Sequence, residues 1–344
     1  MKNAALALLF SGLTLLPGSV LADGDVPYSP AAFTAAQKNN EKILLHFHAD
    51  WCPTCKVQKE DLAELEKEGA LKGIDLMTVN YDKETELKKT MKVNAQATFI
   101  AFYGSVETAR STGLTDKDDL KHFINDSLSS LSLKDQLALM RAQQDAHIPA
   151  DKKKILDDTV EKLRASHLTE KALQVGQKMP DFTLNDSNGK SVHLKTLLKS
   201  GPVVLTFYRG SWCPYCNAQL SSYQAHLADF KAKGAQLVAV TPEKPDLITL
   251  MKEGKKLEFE ILNDKDNKLA KKLGLVFGLP DDLKKVYQQF GVNLEKSQGN
   301  PEWKLPIPAT YIVSKEGKVI YAFLDVDYTH RADPNDLLAA LKKN

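Results

Sequence analysis

The 344 residues carry 46 basic and 44 acidic side chains for a net charge of +2, and the two signs are interspersed, which argues against a nucleic-acid partner. Hydrophobic residues make up 43% of the chain, ordinary for packed globular protein, and the length suits about two domains. Four cysteines are all it contains, grouped as Cys52-Pro53-Thr54-Cys55 and Cys213-Pro214-Tyr215-Cys216, each pair preceded by a tryptophan, Trp51 and Trp212.

The first 22 residues combine Lys2, an apolar run from Ala4 to Leu16 broken by Pro17-Gly18, and Val20-Leu21-Ala22, small residues of the kind a signal peptidase reads. This predicts a cleaved signal peptide over 1–22 and a periplasmic or secreted mature chain. No later segment is apolar enough to span, so no membrane insertion of the mature chain is expected.

A first α/β unit is predicted over 28–130. It holds an Ala-rich helix near 31–39, a strand at 43–47, a cysteine helix to about 68, strands at 75–80 and 97–103, a turn at Gly104 into a short strand, and a closing helix over 116–127. The pattern then changes to two amphipathic helices separated near Pro149. Leu133, Leu137 and Met140 stripe one, and Ile155, Val160 and Leu163 the other. These form an N-terminal helical extension, 131–172, to a second unit that runs over 131–344. That unit opens with Asp181-Phe182-Thr183-Leu184, turns at Asn188-Gly189, and continues through strands near 202–208, 236–240, 309–313 and 318–323. The expected fold class is α/β: two central mixed sheets flanked by helices, with a helical connector.

Each cysteine pair follows an apolar β-prone run and precedes a helix-forming stretch. The first cysteine therefore lies at a helix N-terminus, where the dipole and unsatisfied amides favour thiolate, and the second lies one turn on. One sulfur attacks and the other resolves. A zinc site made of both pairs, or two inert disulfides, fits less well, because a bridge across so short a loop contributes little stability.

The run Phe47-His48-Ala49-Asp50-Trp51-Cys52-Pro53-Thr54-Cys55-Lys56 resembles the active site of thioredoxin-like proteins, across roughly 40–130. The cis-proline and threonine that face the cysteines in that family correspond to Ala97-Thr98. The family's buried carboxylate, which assists the second cysteine, is replaced by His46, a candidate proton acceptor. The second unit resembles peroxiredoxin-like (AhpC/TSA-type) members of the same superfamily, so that both units are implied to be thioredoxin folds. Its marks are Val175-Gly176-Gln177-Lys178-Met179-Pro180-Asp181-Phe182, Phe207-Tyr208-Arg209-Gly210-Ser211-Trp212-Cys213-Pro214-Tyr215-Cys216 and Pro308-Ala309-Thr310-Tyr311-Ile312-Val313.

Peroxiredoxin spacing implies Cys216 as the peroxide-attacking cysteine, with Cys213 in the place of a threonine. Thioredoxin spacing implies the reverse, and both assignments stand open on sequence. Arg209 occupies the position of the peroxiredoxin motif's proline, and Pro308 that of its arginine. Arg209 and Arg331 are candidates for supplying positive charge near the sulfurs, and Pro308 is expected as a cis-proline facing them. The site residues expected are therefore Cys52, Cys55, Cys213, Cys216, Arg209, Pro308 and His46. No cofactor and no metal are expected, and the partners are a hydroperoxide or a protein disulfide and an upstream thiol reductant. The leading function is a thiol peroxidase whose N-terminal domain reduces its C-terminal domain. The alternatives are protein thiol-disulfide exchange without peroxidase activity, and a cysteine-based metal-binding protein.

Overall fold

A computed structural model describes residues 26–39, 41–129 and 131–342. The signal peptide expected over 1–22 lies outside the described residues. No helix among the described residues is long and apolar enough to cross a membrane.

The N-terminal unit runs β1 (Val26–Pro27), α1 (Pro30–Lys38), β2 (Lys42–His48), α2 (Pro53–Lys67), β3 (Ile74–Asn80), α3 (Thr85–Thr90), β4 (Thr98–Tyr103), β5 (Val106–Thr112) and α4 (Lys117–Ile124), the last continued by a π-turn over Asn125–Ser129. Its sheet has the order β1-β3-β2-β4-β5, parallel in the first three strands and antiparallel in the rest. The central strand β2 buries Ile43 to Phe47 without a break, as expected of a strand covered by helices on both faces. Phe33, Leu45 and Phe102 pack on one side of the sheet, and Leu44, Leu62 and Phe99 on the other.

Next come α5 (Leu133–His147), α6 (Ala150–Ala165) and α7 (Leu168–Lys171). The stripes read from sequence are the packed faces. Leu133 and Leu137 join the C-terminal core with Met140 packed against it, while Val160 and Leu163 reach the opposite side of the same sheet. Ser132 caps α5 by accepting from Asp135 N, and Pro149 parts the two helices.

The C-terminal unit continues with β6 (Thr183–Asp186), β7 (Ser191–His193), α8 (Leu194–Ser200), β8 (Val203–Phe207), α9 (Pro214–Ala225), α10 (Leu227–Ala232), β9 (Gln236–Thr241), α11 (Pro245–Gly254), β10 (Glu260–Asn263), α12 (Lys268–Lys272), β11 (Val276–Gly278), α13 (Asp281–Gln289), α14 (Leu294–Gln298), β12 (Lys304–Pro306), β13 (Ala309–Val313), β14 (Val319–Leu324) and α15 (Pro334–Leu341). Seven strands form one mixed sheet in the order β14-β13-β8-β9-β10-β6-β7, and β11 pairs only with β12. The predicted turn at Asn188-Gly189 joins β6 to β7, with Asp186 accepting from the amides of Asn188 and Lys190. Both sheets are mixed and flanked by helices, so the molecule is α/β with two thioredoxin-like folds.

The two units touch through α5 and the sheet edges. Tyr103 of β4 is buried with Leu133, Gln143 Nε2 donates to the Ser105 carbonyl at 2.5 Å, and Lys255 Nζ donates to the Asn39 carbonyl at 2.7 Å.

Candidate active sites

The same local geometry is built twice. A central strand, β2 or β8, ends in a short turn, and the first cysteine is the N-cap of the following helix, with proline at its first position. Cys52 caps α2, its sulfur accepting from Cys55 N at 3.2 Å. All four sulfurs are buried, Cys52 and Cys213 at 1% and 2% exposure and their partners at 0%. The two pairs lie in separate clusters. Among the described residues the group of metal-ligating side chains that does come together is His46, His48 and Cys55, so the four cysteines do not surround one ion.

At the N-terminal site, Cys52 and Cys55 pack with Ala49 and Ala97. Ala97 faces the cysteines as the resemblance implied, and it does so with a left-handed φ of 57°. Its N–H donates to the Phe47 carbonyl at 2.9 Å, which ties the turn to β2. His46 is buried at 1% exposure, stacks on Phe99 with centroids 4.6 Å apart, and shares a 2.9 Å hydrogen bond between Nε2 and Gln58 Oε1. Gln58 in turn donates through Nε2 to the carbonyls of Ala97 (3.1 Å) and Leu114 (2.8 Å). Burial, reinforced by the neighbouring Cys52 thiol, pushes Cys55 up to about 11. Trp51 is 60% exposed, held by a 3.0 Å hydrogen bond from Nε1 to Asp82.

The C-terminal site is electrostatically different. Arg209 and Arg331 are both buried, and among the described residues neither has a carboxylate within ion-pairing distance. Arg331 Nη2 lies 3.3 Å from Cys216 Sγ, and Arg209 Nη1 4.0 Å from Cys213 Sγ. Burial works against charge on Cys216. The Cys213 thiol that hydrogen-bonds to it and the two guanidiniums overcome this, and Cys216 is held well below the ordinary thiol range. Burial, with the same contact to Cys216, drives Cys213 well above it. Both shifts favour the proton on Cys213 and the negative charge on Cys216.

Aromatic rings fix Arg209, whose Cζ is 4.7 Å from the centre of Tyr328, 5.0 Å from Trp212 and 5.6 Å from Tyr287. It also donates to the Tyr287 hydroxyl. Trp212 folds back over its own loop, where a Cβ on Gly210 would meet the indole at 2.2 Å, so this position requires glycine. Glu243, fully buried after β9, accepts from Ser211 N (2.7 Å) and Oγ (3.0 Å) and anchors the same loop. Burial raises its carboxyl to about 7. A cleft of about 460 Å³ opens over the pair, lined by Cys213, Arg209, Trp212, Tyr287, Tyr328 and the α5–α6 turn at Ile148 and Pro149.

One expected feature is corrected. Pro308 is buried beside Arg209, Val326 and Tyr328 in a small adjoining space, but its peptide bond is trans, as are all described peptides. The flanking backbone explains it: Ile307 N–H bonds the Leu275 carbonyl and Ala309 enters the ladder between Phe207 and Leu324, leaving the ordinary trans amide the fitting one. Arg331 proves the closer cation to Cys216, brought there by the loop after β14. Sequence reasoning did not single out Tyr287, Tyr328, Glu243, Gln58 or Gln144.

Two sheets of this topology, each with a Cys-x-x-Cys pair at a strand-to-helix turn, define a thiol enzyme of the thioredoxin superfamily. The family models divide it the same way: the thioredoxin model matches residues 26–126 and the AhpC/TSA family model residues 175–322. The chain belongs to that superfamily, with a thioredoxin domain followed by a peroxiredoxin-like AhpC/TSA domain. A provisionally named peroxiredoxin of Mycobacterium tuberculosis is 27% identical over 157 residues, covering 46% of this chain and 88% of that protein. The chloroplastic peroxiredoxin Q of Populus jackii is 31% identical over 144 residues, covering 42% of this chain and 57% of that one. Among solved structures, Trxlp from Edwardsiella tarda EIB202 is 35% identical, covers 29% of this chain and 98% of that chain, and has a TM-score of 0.29.

Proposed function

We propose that the protein is a self-contained thiol peroxidase of the cell envelope, in which Cys216 attacks a hydroperoxide and the N-terminal pair restores it. The observation that carries this reading is a pair of buried guanidiniums set against the sulfurs with no carboxylate to balance them. Such charges are stable in a core only beside an anion, and the anion here is the Cys216 thiolate. The cleft supplies the approach, and Cys213 is the member of the pair that lines it.

The chemistry follows from the proton's position. Cys216 thiolate attacks one peroxide oxygen, the O–O bond breaks, and the departing alkoxide or hydroxide takes a proton as alcohol or water, leaving Cys216 sulfenic acid. The guanidiniums stabilise charge on both oxygen and sulfur in this step. Cys213 then displaces water from the sulfenic acid and a Cys213–Cys216 disulfide forms. Cys52, as thiolate, attacks that disulfide, and Cys55 resolves the mixed disulfide, its proton passing to a base for which buried His46 is the candidate. The high thiol range of Cys55 supports the role of a strong reductant, since a thiol that holds its proton gains more on closing to a disulfide than a stabilised thiolate does.

Tethering supports the relay by giving an effective concentration in the mM range. A groove shared by Thr34 and Gln37 of α1 and by Pro214 and Tyr215 brings one helix of the N-terminal domain near the loop of the C-terminal pair. Export to the periplasm rests on the sequence of residues 1–22, and an outside thiol donor would then recharge Cys52 and Cys55.

Stopped-flow reaction of the fully reduced protein with hydrogen peroxide tests the reading. Fast consumption is expected to survive Cys52→Ser for one turnover and to stop thereafter. A first-turnover rate no greater than that of a free thiol would refute it in favour of protein disulfide exchange.

A further inference from the structure

The mechanism uses one histidine of the N-terminal site, yet β2 presents two. His46 and His48 are two residues apart and so lie on one face of the strand, with ring centroids 5.3 Å apart, and that face meets α2 where Cys55 sits. One nitrogen of each ring and the Cys55 sulfur all lie within 4.8 Å of one another.

The surroundings hold both rings in place. Gln58 uses its amide N–H groups on the Ala97 and Leu114 carbonyls, which turns its oxygen toward His46. That oxygen can only accept, so His46 donates through Nε2, which holds the ring in place against α2. His48 directs Nε2 to Asp50 at 3.4 Å, and its Nδ1 is buried with no hydrogen-bond partner. A buried polar atom left so is destabilising. A proton relay to Cys55 needs one imidazole, and it leaves this second nitrogen unexplained.

We propose that the reduced N-terminal site binds a thiophilic divalent ion of the zinc type through His46, His48 and Cys55. Two imidazoles and a thiolate suit zinc, with the fourth position open to solvent or to Cys52. Zinc–nitrogen distances of about 2.0 Å and a zinc–sulfur distance of about 2.3 Å put donors within about 3.8 Å of each other, so the present set closes by about an ångström on binding. Binding replaces the Cys55 thiol proton, which leaves to solvent, and makes a zinc–sulfur bond. Cys55 is then unable to close a disulfide with Cys52. The ion therefore acts as a reversible block on the N-terminal pair. That it would also stall the relay rests on the proposed function, whereas the coordination itself does not.

The test uses the full chain carrying Cys213→Ser and Cys216→Ser, reduced with a phosphine, and titrated with Co2+ and then Zn2+. Expected are one equivalent bound, a thiolate-to-cobalt charge-transfer band with tetrahedral ligand-field absorption, and displacement by Zn2+. His48→Gln should weaken Zn2+ binding by roughly tenfold or more, as loss of a ligand requires. Equal affinity in the parent, His48→Gln and His46→Gln would mean that the two thiols alone hold the ion, which overturns the proposal, as would the absence of the charge-transfer band. X-ray absorption of the zinc-loaded parent decides the matter even if a histidine variant misfolds: two imidazoles with at least one sulfur sustain the site, and coordination without imidazole removes it. For the relay, zinc added to the wild-type reduced protein should leave the first peroxide turnover intact and suppress later ones. A first turnover no faster than that of a free thiol counts against the peroxidase reading alone.

Discussion

The two Cys-x-x-Cys sites share a strand, a turn, a proline-headed helix and a buried second sulfur, yet they hold their charge in opposite ways. At the N-terminal site the second sulfur lies beside His46, His48 and Ala97, and burial pushes Cys55 up to about 11. At the C-terminal site the second sulfur faces Arg331, and Cys216 is ionised well below the ordinary thiol range. The helix dipole is common to both and so cannot make the difference. What does is the side chain delivered against the second sulfur by another part of the chain, β2 and α2 in one case and the loop after β14 in the other.

The largest expected effect isolates the attacking sulfur. Cys216→Ser should lower first-turnover peroxide consumption by at least about 10³-fold, to the uncatalysed level of a thiol-free site. Cys55→Ser should leave that turnover unchanged and trap a mixed disulfide through Cys52. Equal loss in Cys213→Ser and Cys216→Ser would erase the assignment drawn from the guanidiniums.

Next comes the cation itself. A hydrogen bond to a charged group contributes about 1.5–3 kcal/mol, so Arg331→Met should slow attack by about 10- to 150-fold and move the Cys216 thiolate titration to higher pH, with Arg331→Lys recovering part of both. An unchanged titration would show that Arg209 alone sustains the thiolate.

The pH profiles should then separate the two sites. Cys216 is held well below the ordinary thiol range, so its reaction with peroxide is expected to change little from pH 7 to 9. Alkylation of Cys55 in a Cys52→Ser variant should rise close to tenfold per pH unit over the same range, because its thiol titrates far above it. Parallel profiles would remove the contrast altogether.

The smallest effect concerns stability. Glu243 is raised from 4.5 to about 7 by burial, so the folded protein binds this proton from about pH 7 while the unfolded chain waits until about pH 4.5. The group therefore favours the folded state below about pH 4.5 and loses that contribution as pH climbs through 7, a swing of about 3 kcal/mol. Glu243→Gln should flatten the fall in Tm between pH 5 and 8, read by calorimetry. A slope identical to wild type would place the titration elsewhere.

Much of the fold was legible because its strongest signals are local. The unbroken apolar runs at 43–47 and 203–207 gave the central strands, and the stripes on α5 and α6 gave the connector, each close to its observed bounds. No element was read between 241 and 308; within that stretch β11 and β12 are three residues each and pair only with each other, too short for an alternation to register. The cysteines, Arg209 and His46 were legible from position relative to the motif. Tyr287 and Glu243 were not, because each reaches the site from a distant element and nothing in its own neighbourhood marks it. Pro308 misled for a related reason: a proline before a β-strand signals restricted φ, while the isomer of its peptide bond is set by the partners of Ile307 and Ala309.

Adjacent residues on α5 divide their attention between the two halves of the molecule. Gln143 holds Ser105 of the N-terminal unit, and Gln144 spans Tyr215, which sits between the C-terminal cysteines, and Tyr328, which covers Arg209. A single helical turn thus works as a splint, and any tilt of the N-terminal unit pulls on the brace that spaces the tyrosines over the guanidinium. Amputating that unit would remove Tyr103, strip its cover from Leu133 and unmoor the brace at once, so the C-terminal half is mechanically incomplete without its neighbour.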